Sequence, residues 1–258
     1  MKIAIIGAGN MGGALARGLA NATIVPTHNI YVSNPSIAKL EALRGEFNEI
    51  NVSTDNRAVV AEADMVVLAV KPWKVGEVLN EIKPYLNYTS QAVASMVGGL
   101  SIAELSTLLD KGDGVLPATY LIMPNTAIAV MSSMTFIASA RSTKEQNATL
   151  VEIFDELGEA MLIEERLMPA ATSLASCGIA YAFRYVRAAM EGGVELGFRA
   201  DDAKRVVIQT LRGAADVLAH SGAHPEEEID RVTTPGGLTI KGLNAMEAAG
   251  FTHSVIEG

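Results

Sequence analysis

The chain has 258 residues, a formal charge of −9 and a single cysteine. Hydrophobic residues make up 49% and charged residues 19%, enough for a sizeable core and too apolar for a disordered chain. The acidity is spread along the sequence and implies no basic face, which argues against nucleic acid as a partner. Cys177 alone excludes a disulfide framework and a Cys-based zinc site, and no apolar run approaches the ~18–20 residues that span a membrane.

The sequence opens on the strand-like KIAIIG rather than on a leader, so a reducing compartment, most simply cytoplasm, is expected. Residues 1–160 alternate in period. Short β-branched runs fall at Ile3–Ile6, Ile30–Ser33, Met65–Val70, Gln91–Met96, Val115–Ile122 and Thr135–Ala138. Amphipathic helical stretches lie between them at Met11–Leu19, Ser36–Leu43, Val75–Ile82, Ile102–Leu109 and Lys144–Leu157. Apolar strands alternating with helices predict an α/β domain with a mostly parallel sheet covered on both faces. After about Leu162 the strand signal stops. The remainder, 161–258, is Ala-rich and predicted to be all α, with breaks at Gly197–Phe198–Arg199, at Ser221–Pro225 and at Thr233–Gly237 before a last helix over Leu238–Ala249. A helical segment of that size buries little surface alone, so it is expected to serve as a dimerisation domain.

The strongest local signal is Gly7-Ala8-Gly9-Asn10-Met11-Gly12, placed between the first strand and the first helix. In that context the glycines serve a tight turn, a close approach of backbone to pyrophosphate, and close helix–strand contact, with the helix N-terminus facing the phosphates. The first domain is therefore read as a Rossmann-type dinucleotide site. The next strand ends in Ser33 and Asn34, with Lys39 one turn into the following helix. An NAD site places a ribose-binding carboxylate about there; neutral donors instead tolerate a 2′-phosphate, which favours NADPH, with NADH as the alternative. Asn56 is a candidate contact to the adenosine or a helix cap. One strand ends in Ala69, Val70, Lys71 and Pro72 and the next in Val97 and Gly98, all at the carboxyl edge where such sheets hold ligands. Lys71 reads equally as a cofactor contact or a solvated loop lysine.

Absences also inform. The four histidines are scattered, no H-E-x-x-H zinc motif is present, and no metal is expected. A site poor in acids and bases suits reduction of a substrate that is already electrophilic, such as an iminium, where positioning is the main requirement.

GAGNMG, LAVKP, MPNT, the segment Ala175–Tyr181, the stretch EGGVELGFRADDAKRVVIQTLRGAADVL and above all TTPGGLTIKGLNAMEAAGF resemble the pyrroline-5-carboxylate reductase family over nearly the whole chain. The resemblance implies a homodimer with its active site at the dimer interface, and NADPH-dependent, sometimes NADH-dependent, reduction of a small cyclic imine to L-proline. It implies that backbone N–H groups at Gly236, Gly237 and Leu238 bind the substrate carboxylate, that Thr239 bonds the imine nitrogen and helps deliver its proton, and that Asn10, Met11, Val97 and Pro124 line the nicotinamide side, with Asn10 and Met11 also next to the substrate. A Gly-Gly turn opening a helix is an anion site on its own terms. The chain departs from the family pattern at Leu121, where arginine is usual, and at Ala127 and Ile179, where proline is usual. A reductase of a related cyclic imine, and a cofactor-sensing module without turnover, are the alternative readings; a hydroxy-acid dehydrogenase lacks its lysine, since the first long helix of the second half offers only Arg184 and Arg187.

Overall fold

The computed structural model describes residues Met1–Gly258, which divide into two compact units, Met1–Ala182 and Phe183–Gly258. The first runs past the boundary expected near residue 160. The reason is packing: Met168 and Ala171, beyond the last strand, are buried in the same core cluster as one face of the sheet.

The first unit begins β1 (Ile3–Ile6), α1 (Asn10–Asn21), β2 (Ile30–Ser33), α2 (Ile37–Glu46), β3 (Asn51–Ser53), α3 (Asn56–Val60), β4 (Met65–Leu68) and α4 (Val75–Ile82). It continues β5 (Ala92–Ser95), α5 (Ile102–Leu109), β6 (Ala118–Met123), β7 (Ser133–Ala140), α6 (Lys144–Asp155), β8 (Gly158–Leu162) and α7 (Met168–Ala171). The strands form one sheet in the order β3-β2-β1-β4-β5-β6-β7-β8, parallel except where β7 pairs antiparallel with β6. Strand side chains alternate between faces. Ile3 and Ile5 enter one buried cluster with Leu15, Leu19 and Leu43; Ala4 and Ile6 enter the other with Leu79, Ile82 and Leu105. Burial on both faces is what an uninterrupted apolar strand requires.

Several elements differ from expectation. β3, α3 and β8 were not anticipated, and β6 starts at Ala118 rather than Val115 because Pro117 has no N–H to give the ladder. α5 and α6 open on complete capping boxes, Ser101 with Glu104 and Thr143 with Gln146.

The first two glycines of structural interest lie where β1 turns into α1. Gly7 has φ +106°, and a methyl group there would stand 2.6 Å from the Ala69 carbonyl oxygen. A methyl at Gly12 would stand 1.9 Å from the Gly7 carbonyl oxygen and 2.9 Å from the Ala69 side chain. Gly12→Ala is therefore expected to cost about 3 kcal/mol, whereas Gly45→Ala, in the exposed part of α2 with open space around it, should be neutral or stabilising by up to ~1 kcal/mol. A parallel pair of urea melts checks this; equal midpoints for Gly12→Ala and the parent would refute it.

The second unit holds most of α8 (Gly178–Glu195), then α9 (Ala200–Ser221), α10 (Pro225–Arg231), α11 (Leu238–Ala248) and α12 (Phe251–Glu257). Gly197 takes the left-handed conformation expected after α8, at φ +100°. Gly193 meets Ala203 of α9 at 3.1 Å if given a methyl group, so these two helices touch through small side chains. From Phe183 to Gly258, Ala203 is the one buried residue. Leu196 (84% exposed) and Leu238 (87%) stand open. No helix of the chain is long and apolar enough to cross a membrane.

Candidate active site

In the first unit the carboxyl ends of β1, β2, β4, β5 and β6 share one edge, and the sequence-predicted cofactor residues gather there. Gly9 is the N-cap of α1, at φ −77°, with no side-chain cap on the helix. A methyl group at Gly9 would meet nothing within 4 Å, so this glycine is required neither by its torsion angles nor by its neighbours. The uncapped N–H groups of Asn10 and Met11 face that open space with the positive end of the helix dipole. An open cradle at an uncapped helix start, adjoining two glycines that the fold itself demands, fits a bound diphosphate.

The β2 end is built differently from expectation. Ser33 is fully buried, and its hydroxyl donates to Asn56 Oδ1 at 2.7 Å. Asn34 is 8% exposed. Its Oδ1 accepts from the Ala8 N–H at 3.0 Å, and its Nδ2 donates to the Ser36 carbonyl at 3.3 Å. The two side chains were expected to face a 2′-phosphate as free donors. Asn34 instead pins the glycine turn, together with the Gly7 N–H to Ser33 carbonyl bond at 2.8 Å, while the Ser33 hydroxyl is committed to Asn56. Asn56 is not the helix cap: Asp55 is, accepting from the Arg57 N–H at 2.9 Å. Asn56 Nδ2 donates to Glu81 Oε2 at 2.8 Å, so Asn56 braces β2 against α4. Asp55 also takes both ends of the Arg57 guanidinium fork at 2.8 Å, which holds its carboxyl below the ordinary range and occupies that arginine.

Ala69 and Val70 lie beyond the last paired residue of β4, as do Lys71 and Pro72, and the Ala69 carbonyl touches the glycine turn. Lys71 is exposed and makes no ion pair. At the end of β5, the buried Ser95 accepts from the Val97 N–H at 3.2 Å, and Gly98 and Gly99 leave open space above the edge. Past β6, Asn125 accepts from the Ala127 N–H at 2.9 Å, which fixes the turn without a proline at 127. The Pro124 carbonyl accepts from Ser176 in the π-helical turn Thr172–Cys177. Sequence reasoning missed Ser95 and Ser176; neither carries a spacing signal that marks it. Leu121 lines a cavity of about 390 Å³ beside Met123, Met168 and Pro169, with Glu165 at its wall. Glu165 Oε1 accepts from the Ile102 N–H at 2.7 Å.

In the second unit, Thr234-Pro235-Gly236-Gly237 is a type II turn. The Gly237 N–H donates to the Thr234 carbonyl at 2.9 Å, and Gly236 has φ +72°. That bond removes Gly237 from the expected carboxylate donors. The N–H groups of Gly236, Leu238 and Thr239 remain, at the start of a helix with no side-chain cap. The Thr239 hydroxyl is exposed and makes no hydrogen bond. Other helical threonines bond back to the carbonyl four residues earlier, as Thr149 and Thr210 do; at the second position of α11 that carbonyl lies outside the helix.

Comparison with known proteins decides the family. Residues 165–258 match the family model described as pyrroline-5-carboxylate reductase dimerisation, and residues 2–96 match one described as NADP oxidoreductase coenzyme F420-dependent. Pyrroline-5-carboxylate reductase 2 of Dictyostelium discoideum is 37% identical, over 100% of this chain and 89% of its own length. The chain belongs to the pyrroline-5-carboxylate reductase family. Pyrroline-5-carboxylate reductase 1 of the same organism is also 37% identical over 99% of this chain, which spans about half, 47%, of that longer relative. The crystal structure of Plasmodium falciparum pyrroline carboxylate reductase with NADP bound superposes with a TM-score of 0.89 at 29% identity, covering 100% of this chain and 93% of that one.

Proposed function

We propose that the chain reduces 1-pyrroline-5-carboxylate to L-proline, the last step of proline biosynthesis, with NADPH as the reductant. The observation that carries this reading is the free Thr239 hydroxyl one residue inside an uncapped helix start, in a chain whose family is fixed along its whole length. When bound, the reduced nicotinamide supplies a hydride to the imine carbon. The residues of this chain do the rest. Gly9 leaves room for the diphosphate over the start of α1. Ala69 to Pro72 and Val97 with Gly98 give the rest of the cofactor its backbone rim, while Ser33, Asn34 and Asn56 hold that rim in shape. The Gly236 and Leu238 N–H groups hold the substrate carboxylate, a pairing favoured by charge and by the helix dipole. Thr239 hydrogen-bonds the imine nitrogen and relays to it a proton that its hydroxyl regains from solvent, so the ring nitrogen ends as an amine. No other side-chain acid or base is called on, because solvent supplies the proton through Thr239 and orientation of an already polarised C=N bond supplies most of the remaining barrier reduction.

A homodimer completes the site in this reading. Its support is the match of residues 165–258 to the dimerisation model and the exposure of large apolar side chains such as Phe183, Leu196 and Leu238 in the second unit. The test is an assay with purified protein, NADPH and the cyclic imine, following the nicotinamide absorbance and the proline formed. Turnover with proline as product is expected. Turnover only with a six-membered cyclic imine, or cofactor binding without turnover of either, would reject the proposal.

A further inference from the structure

The burial of Ser33 and the engagement of Asn34 leave the selection of a 2′-phosphate without a reader, and a different residue is placed to supply it. A recess of about 430 Å³ runs from Gly9 and Asn10 along α1 to α2, where Lys39 forms part of its wall. Two cations line it. Arg17 is spent: its Nε and Nη2 donate to Glu46 at 2.7 and 2.6 Å, and its Nη1 reaches the Gly13 carbonyl at 3.3 Å. Lys39 is exposed and makes no ion pair or hydrogen bond. It stands in the first turn of α2, which has no acidic residue in that turn, and the Ser36 side chain at the helix start makes no cap bond. The recess therefore joins the open diphosphate cradle to one uncompensated positive charge, with free donors beside it and no carboxylate that would repel an added phosphate.

We infer that Lys39 is the specificity-determining residue for a 2′-phosphorylated dinucleotide, and that Ser33 and Asn34 act only by shaping the turn. The inference rests on the NADPH reading above and deepens it. A phosphate dianion paired with a lysine ammonium forms a charge-assisted bond that the unphosphorylated ribose cannot match. An ammonium on a flexible stem suits this role, since one point charge is needed rather than a planar fork.

The test is calorimetric titration of the full chain with adenosine 2′,5′-bisphosphate and, separately, with 5′-AMP, for the parent, Lys39→Met, Lys39→Arg and Lys71→Met. Lys39 is exposed, so its replacement leaves the core untouched. Lys39→Met is expected to weaken the bisphosphate about tenfold or more while leaving 5′-AMP unchanged, and Lys39→Arg to stay within about threefold of the parent. Equal bisphosphate affinity in Lys39→Met and the parent would overturn the inference, as would a selective loss in Lys71→Met instead. If the parent binds neither nucleotide and no NADPH either, the cofactor reading itself fails. If it binds NADPH but does not prefer the bisphosphate over 5′-AMP, only the Lys39 assignment fails.

Discussion

Gly9→Val abolishes cofactor binding and leaves the fold intact; this separation is the expected result. The three glycines of the turn look alike in sequence and are not alike in structure. Gly7 is held by a φ that side chains rarely adopt, and Gly12 by backbone 1.9 Å from where a methyl would go. Replacing either damages the domain, so a loss of binding there says nothing about the ligand. Gly9 has an ordinary backbone and open space. A valine at this half-buried N-cap is expected to lower the thermal midpoint by only a few degrees, since the loss of a favourable cap residue costs about 1 kcal/mol. Its branched side chain would occupy the volume that a diphosphate needs to reach the helix N–H groups. Cofactor affinity should drop by about a hundredfold or more, as expected when several charge-assisted bonds are lost together. Titration by calorimetry alongside a melting curve decides it. Binding within threefold of the parent would show that the cradle at Gly9 is not where the diphosphate lies.

Thr239→Val carries the second large effect. Valine matches threonine in shape and removes only the hydroxyl, which bonds to nothing in the chain. Stability and cofactor affinity should hold. The rate should not: a positioned proton donor is worth about 10²–10⁴-fold, so kcat with the cyclic imine should fall in that range, while Thr239→Ser recovers most of it. The expected pattern is a fall in kcat larger than any rise in KM, because the hydroxyl bond strengthens as the nitrogen gains electron density. Unchanged kcat in Thr239→Val would take the proton delivery away from this residue.

How much of this was legible beforehand depends on what a residue type can reveal without its surroundings. The parallel sheet was legible because β1, β4 and β5 are apolar on both faces and helices separate them. β3 was not: Asn51, Val52 and Ser53 are half-buried at the sheet's edge, and three such residues give neither alternation nor length. β8, GEAML, starts from Gly158 at φ +142° packed on Ser133, a tertiary constraint with no local signal. The glycine turn and the Thr-Pro-Gly-Gly turn were legible as anion sites because helix starts expose N–H groups by construction. Which donors stay free was not. Ser33 and Asn34 read as polar tips, but long-range bonds to Asn56 and Ala8 consume them. Gly237 reads as a donor, but the type II turn claims its N–H.

The reversal of β7 has a consequence for where the first unit tolerates a change of length. Every other strand on the cofactor rim is followed by a crossover, and a right-handed crossover must be refitted as a whole if its length changes. Between β6 and β7 the chain doubles back through the nine residues from Pro124 to Ser132, with no crossover to refit. Part of that stretch is fixed, since Gly18 of α1 admits the Ile128 carbonyl so closely that a methyl would stand 2.5 Å away. The part after it, where Met131 already takes a left-handed conformation, is not. Because Thr126 and Ala129 also wall the recess that contains Lys39, a longer chain between Ala129 and Ser132 would reshape that recess while leaving the sheet unchanged.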